Sequence, residues 1–175
     1  EADMHTRLPD ESAISLAPWA FTQILEALSV PPSALQLDPF ADAESARAPR
    51  WYSLYLAPGS AGVDGFLQRW INAQGDKPLM TWVHGPWHLM GKIIQKSSQE
   101  RTDCILVAPA WDRPWTSVLS RLPLVATHSL RTKKDSTGRN KRTLVRGSRA
   151  SDETPHHTVT FAIKDYLIRW PASSG

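Results

Sequence analysis

The sequence predicts an α/β fold, in which an open, mainly parallel sheet carries helices and ends in a C-terminal antiparallel hairpin. Three observations lead to this class. Short apolar runs alternate with segments of helical periodicity, as in βα units. The run Cys104–Ala108 is apolar throughout, which is typical of a parallel strand covered on both faces. Residues 157–170 alternate apolar and polar side chains, and we expect a turn at Asp165–Tyr166 between two antiparallel strands.

The individual elements follow from spacing and from breaking residues. Residues 1–15 are polar without periodicity, so we expect an extended lead-in over 1–17 and a single domain over 18–175. The first helix begins near Pro18 and stops before Pro31–Pro32. Its apolar residues recur at helical spacing, at Phe21, Ile24, Leu25 and Leu28. Further helices are expected at 63–71, 88–99 and 115–122, and strands at 35–37, 51–56, 78–83, 104–108 and 124–127.

Composition sets the class of protein and its surroundings. A chain of 175 residues with 41% hydrophobic content can bury a core as one domain. The lone Cys104 excludes an internal disulfide or a Cys-rich zinc site, so we expect a reducing, intracellular location, nuclear or cytoplasmic. No apolar run approaches the roughly 20 residues that span a membrane, so no membrane contact is expected. Adjacent His156 and His157 would point to opposite faces of a strand, so no metal site is expected there. Because the chain begins without Met, we expect it to be part of a longer protein.

Positive charge is concentrated in one segment, although the net charge is only +3. We interpret residues 131–155 as a basic insertion, in which eight Lys and Arg residues face the single Asp135 before residue 150. Such a block is either a solvated loop or an electrostatic contact surface for the phosphates of DNA or RNA. It contains no aromatic residue, which argues against a platform that stacks single-stranded bases. The candidate nucleic-acid-binding residues are Arg131, Lys133, Lys134, Arg139, Lys141, Arg142, Arg146 and Arg149.

Two motifs follow predicted strands and are therefore expected at the same edge of the sheet, where open α/β sheets bind ligands. The first is Asp38–Pro39, after the run Leu35–Leu37. An acidic residue in that place can hold a ribose hydroxyl or the charged methionine end of S-adenosylmethionine. It can equally be an ordinary turn starter before proline. Asp38 and Pro39 are the candidate cofactor-binding residues.

The second motif, His84–Gly85–Pro86–Trp87, is a departure from the pattern (Asn/Asp)-Pro-Pro-aromatic. That pattern serves amine methylation, since an oxygen and a carbonyl accept the hydrogen bonds of the amine while the ring stacks on a flipped base. Trp87 and Pro86 are retained, but Gly85 replaces a proline and His84 replaces the Asn or Asp. Neutral imidazole can accept one hydrogen bond. We take these four residues as the candidate catalytic residues and expect little or no methylation.

Residues 35 to about 122 resemble the phage-type DNA N6-adenine methyltransferase family. The resemblance is carried by the Asp38–Pro39–Phe40–Ala41 turn, by Gly85–Pro86–Trp87 before a helix, and by Ile105–Pro109 before Trp115. It implies a Rossmann-like, methyltransferase-type open sheet and S-adenosylmethionine as the cofactor of any activity. The basic insertion falls where such an enzyme is expected to carry a target-recognition loop.

The chain is still more similar to the methyltransferase-like segment that follows reverse transcriptase and RNase H in DIRS-type retrotransposons. Two further matches favour this. Glu1–Ala2–Asp3 with Arg7 resembles the end of retroelement RNase H domains, and Leu16–Phe21 stands where those polyproteins carry a linker helix. If Asp3 corresponds to a metal-binding carboxylate of RNase H, its partner carboxylates are absent, so RNase H activity is not expected.

Three functions remain open from the sequence. The first is an inactive methyltransferase-like domain of retroelement origin, a pseudoenzyme without cofactor that binds nucleic acid through the basic insertion. The second is an active S-adenosylmethionine-dependent DNA adenine methyltransferase. The third is a scaffold that contacts other proteins of a larger polyprotein or assembly.

Overall fold

The fold is a seven-stranded mixed sheet with helices on both faces, seen in a computed structural model that describes residues 14–71, 79–131, 133–141, 143–146 and 162–171. The strands are β1 (Ile14–Leu16), β2 (Leu37–Asp38), β3 (Arg50–Ser53), β4 (Gly62–Val63), β5 (Thr81–Val83), β6 (Cys104–Pro109), β7 (Leu124–Ser129), β8 (Leu144–Arg146) and β9 (Ile163–Ile168). The α-helices are α1 (Pro18–Leu28), α2 (Met90–Glu100) and α3 (Pro114–Leu119), and single 3-10 turns lie at Pro32–Ala34 and Trp87–Leu89.

The strand order across the sheet is β4-β3-β2-β5-β6-β9-β7. The first five strands run parallel, whereas β9 is antiparallel to both of its neighbours. Numbered by their order in the chain, the seven strands therefore lie as 3-2-1-4-5-7-6, and the first five positions repeat the order of classic doubly wound sheets. The predicted α/β class with an open, mostly parallel sheet is confirmed. The chain leaves the sheet in opposite directions at β2 and β5, so the topological switch point lies between these two strands.

Strand β6 shows how the sequence builds a core on both faces of the sheet. All six of its residues are buried, as its continuous apolar run predicts. Because side chains alternate along a strand, Ile105 and Val107 pack with α1 in one apolar cluster. Leu106 and Ala108 pack with α2 and α3 in the other. Helix α1 begins at Pro18 as predicted and ends at Leu28, and the next residue, Ser29, has a left-handed φ of 56°.

The predicted helix over residues 63–71 is wrong. The segment begins in the edge strand β4 and continues as turns to Trp70, whose side chain is fully buried. Asp64 adopts a left-handed φ of 63°, which interrupts a helix. The backbone of Gly65 lies so close to the carbonyl of Pro39 that a side chain there would collide with it. The apolar residues of this segment do not form a helix face. Instead, the buried Trp70 anchors the segment, and its Nε1 donates to the Gly65 carbonyl at 3.0 Å.

The predicted turn at Asp165–Tyr166 is also wrong, because both residues lie in the middle of β9. The antiparallel pairing at this end of the sheet is formed instead by β9 with β6 on one side and β7 on the other. Residues 157–161 of the predicted hairpin lie outside the described residues.

The predicted lead-in and the predicted basic insertion meet in a second, two-stranded sheet. Strand β1 pairs with β8 in antiparallel register, Ser15 opposite Val145. Leu16 and Ala17 are buried in the α1 face of the core. Among the described helices, none is long and apolar enough to cross a membrane.

Candidate functional site

The two sequence motifs lie on either side of the switch point. Asp38 ends β2 and His84 directly follows β5, and these strands are parallel neighbours through Leu37 and Thr81. Between them is a small cavity of about 10 Å³, room for one water at most. It is lined by Ser15, Leu16, Asp38, Phe40, Ser45, Arg47, Trp82 and His84. The carboxyl edge of the sheet is therefore closed at the position where doubly wound folds bind their ligands.

The carboxylate of Asp38 is turned toward its own backbone. It is 2% exposed, and its Oδ1 accepts a hydrogen bond from the Phe40 N–H at 3.3 Å. Its Oδ2 accepts one from the Arg47 N–H at 2.9 Å. Burial raises the pKa of Asp38 to about 7, although both hydrogen bonds and the Arg47 charge act in the other direction. Pro39 is buried directly after it. The carboxylate thus organises the turn after β2.

Arg47 closes the switch point from the loop between β2 and β3. Its Nη2 donates to the carbonyl of Leu16 in β1 at 2.7 Å, and its guanidinium carbon lies 4.6 Å from the centre of the Phe21 ring in α1. The side chain therefore connects three elements across the cavity beside Asp38. Burial lowers the pKa of Arg47, while the Asp38 charge opposes that change.

His84 is a neutral imidazole at physiological pH. Burial and the nearby Arg47 charge lower its pKa to about 4. Its ring lies 5.9 Å from that of Trp87, centre to centre. A neutral ring can accept a hydrogen bond, so His84 does not present a positive charge to an amine.

Gly85 departs from the methylation pattern because Phe40 occupies the adjacent space. A Cβ at Gly85 would lie 2.8 Å from Cδ1 of Ile93 and 3.0 Å from Cδ2 of Phe40. A proline at this position would place its own Cβ against the same atoms. Phe40 is itself held in an aromatic group, 5.0 Å from Phe66 and 6.0 Å from Trp70 between ring centres.

Pro86 and Trp87 belong to the turn before α2. Pro86 adopts an extended conformation and precedes the 3-10 turn that begins at Trp87. The Trp87 ring is half-buried and packs against both apolar clusters. Trp111 meets it edge-on, with ring centres 6.1 Å apart. The indole is therefore part of the packing at this edge of the sheet.

The basic segment contains a short hairpin over residues 133–141, called the basic hairpin below. Lys134 pairs with Asn140, and the Lys141 N–H donates to the Lys133 carbonyl at 2.6 Å. At its tip, Asp135 Oδ1 accepts hydrogen bonds from the N–H and hydroxyl of Thr137, at 2.8 and 2.6 Å, and from the Arg139 N–H at 3.1 Å. These bonds hold the pKa of Asp135 below its usual value. Asp135, the one acidic residue of the basic hairpin, thus stabilises the turn at its tip.

The cations of the hairpin face solvent, whereas its base is anchored. Arg131, Lys133, Lys134 and Arg139 are exposed, and Lys141 is half-buried. The Gln23 side chain of α1 binds both backbone groups of Arg131, at 2.7 and 3.2 Å. On the other side, the Thr143 carbonyl accepts from the Ala17 N–H at 2.7 Å. Arg146 lies in β8, and Arg142 and Arg149 lie outside the described residues.

The sequence analysis missed a buried pair on β7 and β9. His128 and Asp165 face each other across these strands, and His128 Nδ1 lies 2.9 Å from Asp165 Oδ1. Asp165 is fully buried, and burial raises its pKa to about 6 against the opposing effect of His128. Asp165 Oδ2 has no hydrogen-bond partner within the described part of the chain. The separation of 37 positions along the chain leaves no local signal of the pairing.

A larger opening lies away from both motifs. It is an apolar groove of about 600 Å³ between α2 and α3, with Ile94, Trp115 and Val118 among its lining residues. It includes none of the predicted site residues. Within the described ranges, no group of three His, Cys, Asp or Glu side chains could hold a metal ion.

Comparisons of the sequence with known protein families and with curated proteins find no match. Two features of the chain's own geometry bear on function, the closed switch point and the anchored basic hairpin.

Proposed function

We propose that this chain is a non-catalytic, methyltransferase-like domain of retroelement origin that binds nucleic acid through its basic segment. The observation that carries the proposal is the basic hairpin. Its turn is hydrogen-bonded and its two ends are anchored, so the backbone that carries the exposed cations is ordered before binding. Exposed Lys and Arg side chains with neighbouring Ser and Thr hydroxyls are suited to phosphate contacts.

The closed switch point supports the non-catalytic part of the proposal. Small-molecule sites generally have volumes of about 300–1,000 Å³. The cavity beside Asp38 has about 10 Å³, and Arg47 and Phe40 occupy the space around it. The residues present therefore do not fit S-adenosylmethionine in this conformation, and we derive no catalytic step through it.

The order of the strands supports the methyltransferase-like part. The sheet keeps the 3-2-1-4-5 arrangement of doubly wound nucleotide-binding folds and adds antiparallel pairing at its C-terminal strand, as the alternation of residues 157–170 predicts. The retroelement origin depends on the sequence resemblance alone.

The test is a binding titration of the full chain against a labelled 20-nucleotide strand and a 20-base-pair duplex at 50 to 200 mM salt. A triple variant, Lys133→Gln, Lys134→Gln and Arg139→Gln, removes three exposed cations of the hairpin. If all three contact phosphates, the slope of log affinity against log salt should flatten by about 2 to 3.

The matched control removes three exposed cations elsewhere, with Arg69→Gln, Lys92→Gln and Arg121→Gln. It has the same net charge as the hairpin variant, so it should retain most of the slope. Equal loss of binding in both variants would mean that net charge, and not the hairpin, drives binding. Absence of salt-sensitive binding to either nucleic acid would refute the proposal.

One observation favours the alternative of an active DNA adenine methyltransferase. Asp38 and the neutral His84 lie on opposite sides of the switch point, where a cofactor and a target amine would meet. A thermal shift of several degrees with millimolar S-adenosylmethionine would support this alternative. The same measurement on Arg47→Ala asks whether removing the guanidinium opens the cavity. If neither the native chain nor Arg47→Ala shows a thermal shift, the alternative of an active methyltransferase is excluded.

A further inference from the structure

The sheet edge farthest from β7 carries an exposed apolar surface that the proposed function does not use. Five large apolar side chains lie at the ends of β3 and β4: Leu54, Tyr55, Leu56, Val63 and Leu67, called the apolar edge patch below. Leu56 is 91% exposed, Leu67 78% and Tyr55 68%. Isolated surface leucines are normal, but five such residues on one edge indicate an interaction site.

Hydrogen bonds of the surrounding turns keep this patch together. Val63 pairs with Ser53, the last residue of β3, and Leu54 directly follows Ser53 in the chain. The Leu67 N–H donates to the Asp64 carbonyl at 3.0 Å, which folds Leu67 back toward β4. On the other side, the Ser53 hydroxyl bonds to the Tyr55 carbonyl and lies 2.9 Å from the Ser60 hydroxyl. The patch is therefore built on ordered backbone.

The main-chain groups of this edge are already in use. Gln68 Nε2 donates to the Val63 carbonyl at 2.8 Å, and the Gly62 N–H donates to the Ser60 hydroxyl at 3.2 Å. An incoming strand would have to displace these bonds to extend the sheet. A partner is thus expected to bind through side chains.

We propose that the apolar edge patch joins two copies of this chain in a symmetric dimer. Together the exposed fractions equal about three fully exposed large side chains, an apolar area on the order of 500 Å² and within the range of the largest apolar patches on monomers. A standard interface buries about 800 Å² per partner, and in homodimers about 65% of it is apolar. The patch matches the apolar share of one half of such an interface.

A second copy is the partner that this chemistry fits. The five side chains are all apolar or aromatic, so the surface is complementary to itself under a two-fold axis. It offers no charged group that would select an acidic or basic partner. In the dimer, the two basic hairpins lie toward opposite ends, because β4 and β7 are opposite edges of the sheet.

Sedimentation equilibrium of the full chain at 1 to 100 µM tests the proposal. The expected result is a species of twice the 19.5 kDa chain mass that dissociates on dilution. Leu56→Glu and, separately, Leu67→Glu should weaken the dimer at least tenfold, because each places a charge in a desolvated interface. Both positions are highly exposed in the single chain, so folding should be unaffected.

The control is Val125→Glu, at a residue 58% exposed on the opposite edge strand, and it should leave the dimer intact. A chain that stays monomeric at 100 µM overturns the proposal. So does a dimer that survives both leucine substitutions, or one that Val125→Glu dissociates equally.

Discussion

Replacing Asp38 with asparagine should make the protein more stable at neutral and alkaline pH. The carboxyl is buried at the closed switch point, and burial raises its pKa from 3.8 to about 7. A folded pKa above the unfolded value means that the folded chain binds the proton more tightly. Stability from this group is therefore fully present below about pH 3.8 and is lost as pH rises to about 7.

The structure gives the size of the effect. The pKa of Asp38 rises from 3.8 to about 7, and each pKa unit corresponds to about 1.4 kcal/mol. Ionising the buried carboxyl therefore lowers the free energy of unfolding by about 4 kcal/mol. Asparagine removes the charge but keeps one oxygen for the two N–H groups of Phe40 and Arg47. Losing one of these hydrogen bonds costs about 1 kcal/mol. We expect the free energy of unfolding of Asp38→Asn to exceed that of the native chain by about 2 to 3 kcal/mol at pH 8 and to be slightly lower at pH 4.

The assay is urea unfolding followed by tryptophan fluorescence at pH 4, 6 and 8, in the native chain and in Asp38→Asn. The exposed Asp112→Asn serves as a control for the change in net charge and should have little effect at any pH. A variant that is less stable than the native chain at pH 8 would refute the reasoning. It would mean that the Asp38 charge, held by Arg47, stabilises the fold.

Three other predictions concern packing and buried groups. Gly85→Ala should lower the free energy of unfolding by about 1–3 kcal/mol, because its Cβ would meet Ile93 and Phe40, and Phe40→Leu should recover part of the loss in urea unfolding. An unchanged midpoint in the first variant would contradict this. His128→Ala should lower the free energy of unfolding by about 2 kcal/mol at pH 8, where the buried Asp165 is charged. The loss should be smaller at pH 5, because the pKa of Asp165 is about 6. Equal losses at the two pH values would argue against the pair. Burial raises the pKa of the Cys104 thiol to about 12, so a thiol reagent at pH 8 should react only as urea unfolds the chain, and rapid labelling of the native protein would disprove it.

Elements with strong local signals could be predicted from the sequence. Helix α1 was predicted by its periodic apolar residues between Pro18 and the Pro31–Pro32 pair. Strand β6 was predicted by an apolar run that only a strand with two covered faces would carry. In both, the residues that decide the structure lie within about 15 positions of each other.

Features that depend on distant partners could not be predicted. Residues 63–71 have helical spacing, but Gly65 packs against Pro39, which local periodicity does not register. Asp165, in the middle of β9, was predicted to begin a turn because its partner, His128, is distant in the sequence. At the candidate site, the positions of Asp38 and His84 beside each other followed from strand order. The closure by Arg47 is a tertiary contact and had no sequence signal.

The position of β9 has a consequence for synthesis of the chain on the ribosome. Residues 163–168 emerge last among the strands, yet they lie between β6 and β7 in the sheet. Until they arrive, the six-residue edge of β6 has no neighbour on that side, and β7 has nothing to pair with. The nascent protein thus carries an open apolar edge while residues 110–162 are being synthesised. Chains cut short before residue 163 should aggregate, and chains cut directly after Ile168 should be less stable, because Trp170 packs against the core and its N–H donates to Asp103.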